Sequence, residues 1–165
     1  MDREEILEEI EKTKEHLANM EKMLKECEYE RWNPKPSQEY YCVDDSNVVR
    51  RVNFNTMNAY DRDRIKTYNC FQTREQAETE AEKILVRRML EDIARRLNKR
   101  EKPDWIKCYQ KKYYLGYTPI NSRITLEYTT TNIAQGTVYC LDKSFRDIAI
   151  QEIGEERLIK YLRGR

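Results

Sequence analysis

Between residues 3 and 30, apolar or small side chains recur at Ile6, Ile10, Thr13, Leu17, Met20, Leu24 and Cys27, in alternating steps of four and three. That spacing is a heptad seam and predicts a helix with one apolar stripe. Ile10, Leu17 and Leu24 take one core position, and Ile6, Thr13, Met20 and Cys27 take the other. Glu9 and Lys14 flank the seam where charges pair across a parallel dimer. Leu7 and Met23 widen the stripe, which suits a helix packed within its own chain. The pattern admits both arrangements. A homodimer with Ile6, Ile10, Leu17, Met20 and Leu24 at its interface is the expected one.

Pro34 ends this helix, because proline lacks the amide donor and biases Asn33 toward extended geometry. Residues 39–44 and 47–54 then read as strands around the turn Asp44-Asp45-Ser46-Asn47. A polar loop is expected over 55–66 and a third strand over 67–71. Thr73 and Gln76 have the spacing of a capping box, so a helix should start there and run to about Asn98. Its predicted stripe is Ala77, Ala81, Ile84, Leu85, Met89, Ile93 and Leu97, and Pro103 closes the linker behind it.

The order then returns. Strands are expected over 112–118 and 123–130, around Pro119-Ile120-Asn121-Ser122, and over 137–141 after the Gln135-Gly136 turn. Asp142 stands as a helix cap before Phe145, Ile148, Ala149 and Ile153, and Gly154 stops that helix. A final helical segment carries Leu158, Ile159, Tyr161 and Leu162. Trp32 precedes Tyr40-Tyr41 by eight residues, Trp105 precedes Tyr113-Tyr114 by eight, and the offset between the two sets is 73. Fixed-offset similarity marks a duplicated unit. The expected fold is therefore α+β: a coiled-coil-like helix over residues 1–31, then two similar units of a three-stranded antiparallel meander plus a helix, over 32–102 and 103–165, joined by the long helix.

Net charge is +1, so bulk charge points to neither nucleic acid nor membrane. Its distribution is uneven. Residues 1–31 hold six Lys/Arg against eleven Asp/Glu, whereas residues 87–112 hold ten against four. The two segments could pair with each other, and charge on a helix often marks only a solvated face. The sequence shows no apolar run long enough to span a membrane and no signal-peptide pattern. Its five cysteines include no C-x-x-C, which gives an expectation of free thiols in a reducing cytosol. Cys42, Cys70 and Cys140 fall in strand-like runs, where cysteine acts as a small hydrophobe.

Chemistry is sparse. The one histidine, His16, lies on the charged face of the first helix, which argues against His-dependent triads and His-rich zinc sites. Four scattered glycines leave no phosphate cradle. The expectation is a non-enzymatic protein with no catalytic residue, no metal and no cofactor. Of twelve tyrosines, one in each strand pair should pack under a helix while the other, with Tyr41 and Tyr114 as candidates, faces out to stack bases or anchor a protein partner; plain β-propensity in a half-buried sheet accounts for the pairs equally. Arg88, Arg95, Arg96, Lys99 and Arg100 crowd the end of the long helix and complete the expected partner surface. They also suit the helix C-terminal dipole.

Trp32-Asn33-Pro34, Tyr40-Tyr41 and Asn69-Cys70-Phe71-Gln72-Thr73-Arg74-Glu75-Gln76-Ala77, followed by Trp105, Lys112-Tyr113-Tyr114 and Ile153-Gly154-Glu155, together resemble a group of small phage and prophage proteins of Gram-positive bacteria. Ser37-Gln38 departs from the Gly-Glu expected in that group, and the departure touches only the turn. The resemblance brings no catalytic residue to this chain. It implies a phage accessory protein acting in the host cytosol on a defence protein, most naturally as an anti-CRISPR-type inhibitor of a nuclease effector. Alternatives are a nucleic-acid-binding accessory protein and a sponge for a nucleotide immune signal.

Overall fold

The computed structural model describes residues 12–14, 16, 17, 20, 32–99 and 101–164. Two compact units are present, Met1–Asn33 and Pro34–Arg165. In the first, the described residues 12–14, 16, 17 and 20 are helical, and Leu17 and Met20 are 50% and 45% exposed. Ile6, Ile10 and Leu24 of the expected interface lie outside the described residues.

The second unit mixes helix and antiparallel sheet. Strand β1 (Glu39–Val43) pairs with β2 (Val49–Asn53), from Glu39↔Asn53 to Val43↔Val49. The turn between them is fixed by Asp44, whose Oδ1 accepts the amides of Ser46 at 3.0 Å and Val48 at 2.9 Å. The expected loop at 55–66 contains a helix instead, α1 (Ala59–Lys66). It has no continuous apolar stripe, so periodicity gives no sign of it. It is held at its start by Asn58, which accepts the amide of Tyr60, and on its inner face by buried Asp61.

Helix α2 (Arg74–Leu97) starts as expected. Thr73 accepts the amide of Gln76, and the Gln76 side chain returns to the Thr73 amide. Its buried positions are Ala77, Ala81, Val86, Leu90, Ile93 and Ala94, while Leu85 is exposed. The stripe rotates partway along because the helix serves two neighbours. Ala77 and Ala81, with Ile84, pack on Val43, Val49 and Tyr41 of the first sheet. Val86, Leu90, Ile93 and Ala94 enter the main core with Leu115, Ile124, Cys140, Phe145, Ala149, Ile153, Leu158 and Tyr161.

Strands β3 (Lys112–Thr118) and β4 (Arg123–Thr129) form the second sheet, from Lys112↔Thr129 to Thr118↔Arg123. Helix α3 (Phe145–Ile153) begins three residues after Asp142. Ser144 is its N-cap, and Asp142 Oδ1 accepts both the amide and the hydroxyl of Ser144 at 2.8 Å. Gly154 stops it at φ 95°, a left-handed value that favours glycine, and α4 (Glu155–Arg163) follows. Arg157 reaches Glu82 at 2.7 Å and ties α4 to α2.

The expected meanders are not formed. Each sheet has two strands, and the third segment is reduced to one bridge, Tyr41↔Phe71 or Tyr113↔Cys140. Both bridges fall on the first strand of the hairpin, giving the order β2-β1-Phe71 and β4-β3-Cys140. The added segment therefore runs parallel to the second strand, which a tight hairpin turn cannot connect; the chain returns through a long excursion instead. Tyr41 and Tyr113 hold the same bridging position, 72 residues apart. That is one less than the tryptophan offset.

Candidate functional site

The two tyrosine pairs are used differently. Tyr40 is fully buried, and its hydroxyl donates to Asp61 Oδ1 at 2.6 Å. Arg64 donates to both groups at 3.1 Å, and the Asn55 amide donates to Asp61 Oδ2 at 2.9 Å. Burial, and then the bond to Asp61, push the Tyr40 hydroxyl well above the usual phenol range. On the opposite face of β1, Tyr41 packs against α2 through Ala77 and Ala81. Both residues of this pair are thus covered, by α1 on one face and α2 on the other. Tyr41, expected at a partner surface, is half-buried beside Ala77 and Ala81 of α2, and the unforeseen helix α1 lies instead on the Tyr40 side.

In the second sheet, Tyr114 does face away from the core. Its hydroxyl donates to Glu127 Oε2 at 2.7 Å, a bond that raises its proton affinity. Its ring meets Tyr139 edge-on at 5.6 Å, and Tyr139 meets Trp105 edge-on at 4.9 Å. Lys112, two residues before Tyr114, is wholly buried. Its ammonium donates to the carbonyls of Lys107, Gln110 and Thr130 at 3.1, 3.0 and 3.0 Å and lies 5.1 Å from the Trp105 ring centre. Lysine is almost never fully buried unpaired. Here three carbonyls and an aromatic face replace the missing carboxylate and lock the 107–110 turn to the end of β4.

The basic end of α2 is only partly free. Arg95 and Arg96 both grip Asp92, and Arg96 also pairs with Glu152 of α3. Arg95 first, then Arg96, hold the Asp92 carboxyl below the usual range. Arg88 and Lys99 are exposed and make no ion pair among the described residues. Lys99 sits just past the helix end at φ 49°, and Arg100 lies outside the described residues.

Beside this cluster opens a cleft of about 530 Å³, bounded by Glu91, Ala94 and Arg95 of α2, Asn98 just past its end, the 101–103 linker and residues 137–139. Asn98 caps α2 and is 7% exposed. Its Oδ1 accepts the Leu141 amide at 2.7 Å and the Cys140 thiol at 3.2 Å. Burial raises the pKa of the Cys140 thiol, and likewise that of Cys42. Tyr139 is fixed by the bond it accepts from the Ala134 amide at 2.8 Å. Of the residues foreseen from sequence, only Arg95 lines this cleft. Pro103 and the turn before 137 were visible as chain punctuation, but nothing in one dimension brings them to Asn98. Cys42, Cys70, Cys108 and Cys140 are free thiols, and among the described residues no group of His, Cys, Asp and Glu could hold a metal ion. No described helix is long and apolar enough to cross a membrane. No family model, no curated protein and no solved structure matches the chain.

Proposed function

We propose that this protein works by binding rather than by chemistry, as a phage-encoded counter-defence protein that docks on an acidic surface of a host nuclease effector in the cytosol. The observation that carries the reading is the cationic end of α2. Arg88 and Lys99 stand exposed without an ion-pair partner among the described residues, beside Arg95 and Arg96, which share Asp92. The opposite face of the same helix is locked into the core, so these charges are presented from a rigid rod. A preorganised charge array of this kind speeds encounter and orients a partner of opposite sign. Tyr114 adds an outward ring on the neighbouring sheet. The phage context and the anti-CRISPR type of action rest on the sequence resemblance alone.

Two further readings accompany it. The halves of the α/β unit are copies of one ancestral element: each places a hairpin, a bridge to its first strand and a helix in the same order. The N-terminal heptad seam makes the protein a homodimer.

Affinity capture from a host carrying active CRISPR systems, with an Arg88→Glu/Lys99→Glu protein as the comparison, tests the docking claim. Wild-type protein should retain an effector and suppress its cleavage, and the charge-reversed protein should do neither. Equal retention by both, or cleavage untouched by the wild type, refutes it. Strong binding to plain duplex DNA that declines steeply with salt would move the reading to nucleic acid.

A further inference from the structure

We propose that the cleft at the C-terminal end of α2 binds a nucleotide unit, specifically a nucleoside monophosphate whose base carries a carbonyl on its edge. The starting point is Asn98. It is nine-tenths buried, and both bonds to its Oδ1 come from fixed donors, the Leu141 amide and the Cys140 thiol. Those bonds fix which end of the amide is the oxygen. The Nδ2 group is left as an oriented donor at a residue that bounds the cleft, with no acceptor among the described residues. Asn98 Nδ2 is not among the buried unpartnered atoms, so solvent reaches it, and a donor of fixed orientation on a cleft wall can exchange that water for an acceptor brought by a ligand.

The surroundings define that ligand. Ala94, Pro103 and Val138, with Tyr139, give apolar walls, and such walls take a flat, weakly hydrated ring. Lys102 supplies a cation to the lining of the same cleft, beside Arg95, which Asp92 already pairs, and a phosphate would sit there. Glu91 and Glu101 lie on that edge too, and their charge limits how much anion the site tolerates. A monophosphate fits that balance, and a triphosphate does not. The volume of about 530 Å³ lies within the range of small-ligand sites, roughly 300–1,000 Å³, and suits one nucleotide. The nucleotide could be free or the end of a single strand, because both offer the same base, sugar and phosphate.

The site shares Arg95 with the docking face but stands without it. Asn98 and Lys102 line the cleft and take no part in the docking face, whereas Arg88 and Lys99 belong to the face and do not line the cleft.

Calorimetric titration of the full chain with UMP and GMP tests the proposal. Saturable binding is expected, with UTP, GTP and inorganic phosphate each weaker by about tenfold or more, the worth of one good interaction. Asn98→Asp keeps the oxygen that holds Leu141 and removes the donor. It should weaken UMP and GMP by about tenfold, as should Lys102→Gln on the exposed linker. Arg88→Glu/Lys99→Glu should leave both titrations unchanged, which separates this result from failure of the docking claim. If Asn98→Asp loses the folded circular dichroism signal, Arg95→Gln/Lys102→Gln decides alone. A uridine octamer distinguishes the sources: much tighter binding than UMP identifies a strand end, and equal binding identifies the free nucleotide. Absence of saturable heat with both UMP and GMP, or wild-type affinity in Asn98→Asp and Lys102→Gln, overturns the proposal.

Discussion

Replacing Lys112 with methionine keeps most of the side-chain volume and removes the ammonium. Three carbonyls, those of Lys107, Gln110 and Thr130, then lose a charged donor at 3.0–3.1 Å, and Trp105 loses the cation above its ring. Each charge-assisted bond is worth about 1.5–3 kcal/mol and the ring contact about 0.5–2 kcal/mol. Against this, the native protein carries the cost of burying an ammonium ion, several kcal/mol, which methionine avoids. The Lys107 carbonyl keeps the Gln110 amide at 3.0 Å, whereas those of Gln110 and Thr130 lose the donor that wholly buried Lys112 supplies. The net expectation is a loss of about 2–4 kcal/mol and a fall in Tm of roughly 8–15 °C. Denaturant unfolding in a Trp32→Phe background, with excitation selective for tryptophan, makes Trp105 the sole tryptophan reporter, and amide exchange across 106–110 should accelerate before global unfolding. A Lys112→Met protein as stable as its parent, with unchanged exchange in that turn, would refute the argument that the carbonyl cage outweighs the burial cost.

Three further outcomes follow from the same physics. Tyr40→Phe removes one hydrogen bond to the Asp61 carboxylate and should cost about 1.5–3 kcal/mol in urea unfolding; a smaller loss would mean that water or Arg64 replaces the hydroxyl. Thr73→Ala breaks the capping box of α2 and should cost about 1 kcal/mol by the same assay. The pH profile should have two edges. Asp44, Asp104 and Asp142 are held below the usual carboxylate range chiefly by backbone amide bonds from Val48, Ile106 and Ser144, so their contribution is complete above the unfolded value near 4 and fades as pH falls through it. Cys42, Cys140 and Tyr40 are raised by burial, so their contribution is complete below their unfolded values, about 8.5 for the thiols and 10 for the phenol, and fades above them. Thermal melts should plateau between these edges, and a Tm still rising at pH 10 would contradict the buried thiols and phenol.

What could be read from the chain was whatever local chemistry decides. Thr73 and Gln76 mark the start of α2 because a capping box is complete within four residues. The second hairpin is legible because Pro119 to Ser122 form a turn between two β-rich runs. Helix α1 was not legible: its anchor is Asp61, a charged residue that reads as solvent-facing until Tyr40, 21 residues earlier, is placed against it. Lys112 is hidden for the same reason, since a lysine in a strand signals exposure and only folded carbonyls explain its burial. Strand order depended on where Phe71 and Cys140 return, and no periodicity encodes that. At the candidate site, the charges were visible as a run, whereas Asn98 became informative only once Leu141 had taken one end of its amide.

Helix α2 lends apolar surface to both sheets, Ala77 and Ala81 to the first and Val86, Leu90, Ile93 and Ala94 to the second. A fragment beginning at Pro103 would strip Leu115, Ile124 and Phe145 of the cover that Val86, Leu90, Ile93 and Ala94 give them, and one ending before Arg74 would strip Val43 and Tyr41 of Ala77 and Ala81. A break in the chain within residues 74–97 would therefore weaken the cover of both sheets at once.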